Sequence, residues 1–300
     1  MKTKIFILII AVFVGLIVSC QVLMAVADVG AQVAGSAGYI DKSTANAIST
    51  SARAIGSAAE EITPEQEYYI GRAVAANILG TYRIWNGNPA QTTYLNQICL
   101  AITINSPRPD VYNGYHVAIL DSNEINAFAT SGGHIFVTRG LINTAKSEDA
   151  LAGVIAHEVA HIQLKHGIKA IRNSRITQAL VVTGTAAAGA AGLNVAQLTD
   201  VFKESVGEIF QTMVNSGYSQ VQEFEADTTA MSLMAAAGYR PQGLIDMLNA
   251  LKSAQNSRTG FGKTHPTPEQ RITNAEKTVR NHRVADTSAS RTTRFTAATK

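Results

Sequence analysis

Three residues in one short stretch have the types and spacing to hold a metal ion and put it to use. Leu151 to Gly167 reads LAGVIAHEVAHIQLKHG, and within it His157, Glu158 and His161 form the pattern HExxH. Successive side chains on an α-helix are offset by about 100°, so histidines four apart project within about 40° of each other, one turn along the axis. One divalent ion can bridge them, and zinc suits two neutral imidazoles. Glu158 follows the first histidine, so its carboxylate falls beside the ion, where it can take a proton from water. Catalytic zinc sites use three protein ligands and leave a position for water, so a third ligand is required. It is not close by: the extension that places a glycine three residues and a histidine six residues further on meets Leu164 and Gly167 here. His166, five residues past His161, projects about 140° round the helix, away from the metal face, and reads as a polar histidine or one that stands behind a ligand.

The third ligand is assigned further along the chain. Val221 to Thr228 reads VQEFEADT, with Glu223 and Asp227 four apart on a predicted helix. Glu223 can ligate zinc while Asp227 reaches the far nitrogen of a ligand histidine and fixes its tautomer and orientation. Glu225 lies on another face and has Thr229 where an acid would be needed. Without HExxH, the pair would read as a solvated acidic face.

His265 and Arg271 complete the candidate catalytic set with Glu158. Thr267-Pro268-Glu269-Gln270 carries the order of a helix cap, a first-turn proline and a capping box, which puts His265 on a loop just before the last helix. A histidine there can donate to a tetrahedral oxyanion or close over the zinc as a reversible fourth ligand. Arg271, one turn into that helix, can stabilise the same developing charge. A contact at the cap and a surface salt bridge are the alternatives for the two residues.

HEVAH followed by EFEAD resembles the gluzincin peptidases of the HtpX and CAAX-prenyl-protease type. Asn126 to Leu141, NAFATSGGHIFVTRGL, is similar to the strand segment ahead of that family's zinc helix, and His265 to Ile272, HPTPEQRI, to its C-terminal His-Pro motif. The likeness runs across residues 63–282 and is nearest to the family's lipoprotein branch in bacterial envelopes. Gln222 departs from it, since HtpX-like members often carry Arg there; this bears on local pairing and not on the ligand. The resemblance implies a mainly helical α+β fold, a zincin-like domain with a small β-sheet beside the HExxH helix, and one zinc ion per chain. It also implies that Asn126, Ala127, Phe128 and Ala129 form an edge strand that accepts an extended substrate through main-chain hydrogen bonds. A plain sheet edge with its hairpin is the alternative. The function it implies is a zinc-dependent endopeptidase acting on unfolded or misassembled cell-envelope proteins. A chaperone-like or assembly-factor lipoprotein with a structural or repressed zinc site is the rival, and Glu158 argues against a purely structural site. Polypeptide substrates and envelope assembly or chaperone partners are expected.

The elements that must position these residues can be read around them. Three hundred residues suffice for a large core. The net charge of +3 is modest and no basic cluster is interleaved with aromatics, which excludes a nucleic-acid partner. Residues 1–19 have a basic start and an apolar run ending at Ser19-Cys20, the parts of a secretory signal, and Ile17 to Cys20 resembles a lipobox in which Cys20 is lipidated. Gln21 at the next position points to the outer membrane, facing the periplasm, with the membrane as a partner through Cys20. Cleavage after Ala25-Val26-Ala27, or retention of the stretch as an anchor, are the alternatives. Residues 20–62 form a tether or a loosely packed segment, and 63–282 the metallopeptidase domain, entered by a helix capped at Thr63. Tyr115 to Leu120 and His134 to Thr138 read as strands. Ala179 to Leu198 is an uncharged Ala/Gly-rich stretch that fits a packed helix or flap better than a membrane segment. Residues 283–300, rich in Ser, Thr, Ala and Arg, read as a disordered tail.

Overall fold

The computed structural model describes residues 20–39, 41–46, 49, 62–170, 206, 207, 210, 211, 217–254, 265, 268–282, 284, 285 and 287–299. The signal-like residues 1–19, the Ala/Gly-rich stretch 179–198 and the loop 256–263 lie outside the described residues. The chain separates into two compact units, Met1–Ile62 with Ala170–Ser205 and Thr63–Lys169 with Val206–Lys300.

In the first unit, where composition left a tether and a packed helix open, Cys20–Ser36 is helical (α1). Asp28 on α1 accepts hydrogen bonds from Gln32 at 2.8 Å and from Ser49. Among the described residues no helix is long and apolar enough to cross a membrane.

The second unit opens with α2, Pro64–Thr81. Thr63 accepts from the Gln66 amide at 3.2 Å and the Gln66 side chain accepts from the Thr63 amide at 3.0 Å, the reciprocal cap that the sequence predicts. The next helix, α3, spans Pro89–Thr103; Asn88 caps it and Pro89 occupies its first turn.

Three strands follow: β1 His116–Leu120, β2 Ala127–Thr130 and β3 His134–Thr138, in the order β1-β3-β2. β1 runs parallel to β3, with His116 opposite His134, and β2 returns antiparallel, with Phe128 opposite Phe136. The β2–β3 turn uses Gly132 and Gly133 at φ +81° and +103°, a region that favours glycine. Ile84 bridges Leu120 and the Trp85 amide donates to Ile119 at 2.8 Å, so the outer side of β1 is partly paired. β2 forms the opposite edge, with Ala127, Phe128, Ala129 and Thr130 all buried.

A short helix α4, Arg139–Thr144, leads to Ser147, whose hydroxyl caps α5, Glu148–Gln163, by accepting from the Ala150 amide at 3.1 Å. Every residue from Glu148 to Ile162 is buried, as expected for a helix with apolar residues on several sides. Three more helices complete the ligand-bearing part: α6 Gln220–Ala236, α7 Gln242–Ala254 and α8 Pro268–Thr278. The α5–α7 contact depends on glycine. A Cβ at Gly153 would stand 2.8 Å from the Leu244 Cα, and one at Gly243 would stand 2.4 Å from the Asp149 carbonyl oxygen. One apolar core joins the sheet to the helices, through Ile98, Ile119, Ile135, Ile155, Met231 and Leu248 among others. The result is the expected mainly helical α+β arrangement with a small sheet.

The expectation of a disordered tail over 283–300 is corrected. Ser288–Thr299 forms α9, and its arginines neutralise the buried acidic turn at the start of α5. Arg294 meets Glu148 at 2.6 and 3.1 Å, and Arg291 lies 3.2 Å from Asp149, which also accepts from Arg240 at 3.0 and 3.1 Å. The composition is poor in large apolar residues, but Phe295 packs against the core and the arginines meet buried carboxylates, which need such partners. At the other end of α5, Arg108 donates to the Ile162 carbonyl at 3.0 Å and pairs with buried Glu67.

Candidate metal centre

α5 and α6 pack side by side and bring HExxH against EFEAD. Among the described residues, His157, His161, Glu223 and His265 each offer one ligand atom, and these atoms lie within 4.8 Å of one another. All four side chains are buried. His157 Nε2 is 3.0 Å from His161 Nε2 and 3.4 Å from Glu223 Oε2, and His161 Nε2 is 3.5 Å from Glu223 Oε1.

These spacings suit zinc. Bonds of about 2.0–2.2 Å in tetrahedral array place neighbouring ligand atoms about 3.3–3.6 Å apart. Two bare imidazole nitrogens facing each other at 3.0 Å repel unless a cation or proton lies between them. Glu223 Oε1 is buried without a hydrogen-bond partner among the described residues, and a buried carboxylate oxygen of that kind is costly unless it meets positive charge. Donor types, spacing and unmet polarity all fit the ion.

The surrounding contacts set the protonation of each group. Asp227 Oδ1 lies 3.0 Å from His157 Nδ1, so the neutral ring keeps its one proton there and turns a bare Nε2 toward the cluster, where it can ligate. Burial and the Arg271 charge oppose protonation of His157, but hydrogen bonds to Asp227 and Glu223 outweigh them and push its pKa up to about 9. Burial holds His161 well below the usual histidine range, with the charges of His157 and His265 adding to the effect. Burial works against ionising Glu223, yet the His265 charge and hydrogen bonds from His157 and His265 keep it well below the usual carboxylate range. Glu158 differs. Burial raises its pKa, its Oε1 has no hydrogen-bond partner among the described residues, and it interacts with the charges of His265, His157, Glu223 and Arg271.

His265 Nδ1 stands 2.8 Å from Glu223 Oε2, inside the cluster and not merely at a cap. Arg271 is fully buried, which removes the surface salt bridge as a reading. Its Nε and Nη2 donate to the two Asp227 oxygens at 2.9 and 2.6 Å, and its Nη1 is 3.5 Å from Glu223 Oε2. Arg271 therefore acts on the centre through Asp227 and His157, as a positioning residue. Asn126, Ala127, Phe128 and Ala129 lie at the sheet edge on or beside β2, which packs against α5. Cys20 begins α1 in the other unit.

Tyr218 was not assigned to the site from sequence, and His166 and Glu225 were read as lying off the metal face. The Tyr218 ring stacks on His161, with centroids 4.4 Å apart and planes at 19°. Desolvation pushes its phenol pKa up, with the charges of Glu158 and Glu223 adding to the effect. Its one sequence signal was its place just before Ser219, the cap of the helix that carries Glu223. His166 contacts His161, and Glu225 contacts His166.

Comparison with known proteins adds an independent line. The chain is 27% identical over 223 residues to the Beta-barrel assembly-enhancing protease of Escherichia coli K12, covering 73% of this chain and 45% of that protein. It is 29% identical over 193 residues to the Mitochondrial metalloendopeptidase OMA1 of Schizosaccharomyces pombe, covering 62% and 52% respectively. Metalloprotease LoiP of E. coli K12 is 28% identical over 186 residues, 61% of this chain and 69% of that protein. The chain thus spans about half the length of the first two. The profile of peptidase family M48 matches residues 89–279, a stretch that contains every member of the buried cluster, and the chain belongs to that family.

Proposed function

We propose that the protein is a zinc-dependent endopeptidase whose substrates are unfolded or misassembled proteins of the bacterial envelope. The observation that carries this reading is the meeting of His157, His161 and Glu223, from two helices distant in sequence, beside a buried carboxylate, Glu158, that ligates nothing. His157, His161 and Glu223 would hold the zinc, which when bound supplies a Lewis acid for the peptide carbonyl and for water. Glu158 accepts a proton as water attacks the carbonyl carbon, and returns it to the leaving amine nitrogen. Its carboxylate is buried next to His157, within the field of His265 and Glu223. Asp227, braced by Arg271, keeps the His157 ring in the ligating tautomer.

Family M48 membership and the names of the relatives support the peptidase chemistry. The envelope substrates rest on resemblance alone, as do envelope assembly or chaperone partners. The test uses the purified chain with an unfolded polypeptide. Cleavage is expected to cease with a zinc chelator and to return on adding one equivalent of zinc; cleavage indifferent to the chelator would overturn the proposal.

A second reading has its own observation. With His265 in the cluster, four protein groups converge, and a zinc ion held by all four would lack the open position of a catalytic site. Such a centre is structural or repressed, and suits a chaperone-like envelope protein. Persistent inactivity of zinc-loaded protein, with binding of unfolded chains intact, would favour it.

Membrane attachment is proposed through a lipidated Cys20, supported by the lipobox-like Ile17 to Cys20. Acyl-chain labelling in cells is expected for the wild type and not for Cys20→Ala. Label retained by that variant would remove the attachment point.

A further inference from the structure

His166 has no part in the chemistry described above, yet it is completely buried against a ligand histidine. Its Nδ1 lies 2.8 Å from Nδ1 of His161, and its Nε2 lies 3.4 Å from Oε2 of Glu225. The His161 and His166 ring centroids are 4.9 Å apart at 71°, an edge-on arrangement that suits an in-plane hydrogen bond.

The direction of that bond can be worked out. His161 Nε2 is the atom turned toward His157 and Glu223, so it must be bare to ligate, and the ring's proton is then on Nδ1. That N–H donates to His166, whose Nδ1 must offer its lone pair. His166 accordingly carries its own proton on Nε2, pointed at the Glu225 carboxylate, which accepts it. Each step fixes the next, and a carboxylate reachable from solvent, 53% exposed, ends the series. His157 is served by Asp227 and Arg271 on its side, and His161 by a histidine and a glutamate on the other.

We propose that His166, backed by Glu225, is the positioning residue for His161: it fixes the tautomer and ring orientation in which His161 can ligate zinc. This rests on the zinc-site reading above and assigns roles that the cluster itself does not. Tyr218 limits ring rotation from the face, whereas His166 meets Nδ1, the ring nitrogen turned away from the cluster.

The test is zinc affinity of the full chain, measured by competition with a chromophoric chelator, with thermal unfolding of each variant as the control for folding. His166→Phe keeps the volume but removes the acceptor, and is expected to weaken zinc binding by about 10–100-fold, the usual effect of losing a contact behind a ligand. His166→Asn, whose amide oxygen can take the place of Nδ1, is expected to recover most of the loss. Glu225→Ala, at an exposed position that tolerates change, is expected to weaken binding several-fold and serves as the second variant if His166→Phe does not fold. A nitrogen-15 spectrum of the zinc-loaded wild type should place the His161 proton on Nδ1. Zinc held as tightly by His166→Phe and by Glu225→Ala as by the wild type would overturn the assignment. A wild type that binds no zinc would instead overturn the zinc-site reading and this assignment with it.

Discussion

Glu158→Gln is expected to lower peptide cleavage by about 10²–10⁴-fold, the usual contribution of a general acid–base group, while the zinc content stays at that of the wild type. Glutamine has the same size and can accept a hydrogen bond, but it cannot hold the transferred proton. The carboxylate is 2% exposed and its Oε1 has no hydrogen-bond partner among the described residues, so the substitution breaks no hydrogen bond at that oxygen. Zinc is retained because the cluster of ligand atoms does not include Glu158. Turnover of an unfolded polypeptide, read together with metal analysis of the same sample, checks both halves. A variant that cleaves at the wild-type rate would show that the proton goes elsewhere.

Glu223→Ala is expected to lose both zinc and cleavage. Removing a contact behind a ligand weakens binding about 10–100-fold, and removing a ligand should exceed that. The carboxylate is also the negative charge around which His157, His161, His265 and Arg271 gather, at 2.8 to 3.5 Å. Without it, buried groups of like sign face one another, so the loss cannot be repaired by a small shift of α6. Metal analysis after dialysis is the measurement. Stoichiometric zinc in the variant would mean that Glu223 is not a ligand.

What could be read from sequence was what local periodicity controls. The helix period puts His157 beside His161 and Glu223 in line with Asp227, and the capping box marks Thr63 within a few residues. What could not be read depends on how distant elements meet. Arg271 was placed correctly on its helix, but only the packing of α8 against α6 directs it to Asp227. His166 shows the limit more sharply. A projection of about 140° assumes an unbroken helix; α5 ends at Gln163, and Lys165 takes a positive φ of 56°. The chain therefore doubles back and brings His166 against His161. The tail was misread because composition reports the lack of apolar residues and is silent on charges elsewhere in the chain.

The arginines of α9 bear on the order in which this molecule can be completed. A ribosome delivers Glu148 with 145 residues still to come before Arg294. Until α9 emerges, the acidic turn that starts α5 lacks two of the three arginines that meet it among the described residues. The helix that carries His157 and His161 is thus braced only by residues translated well after its own. Between those two moments its acidic first turn is incompletely neutralised.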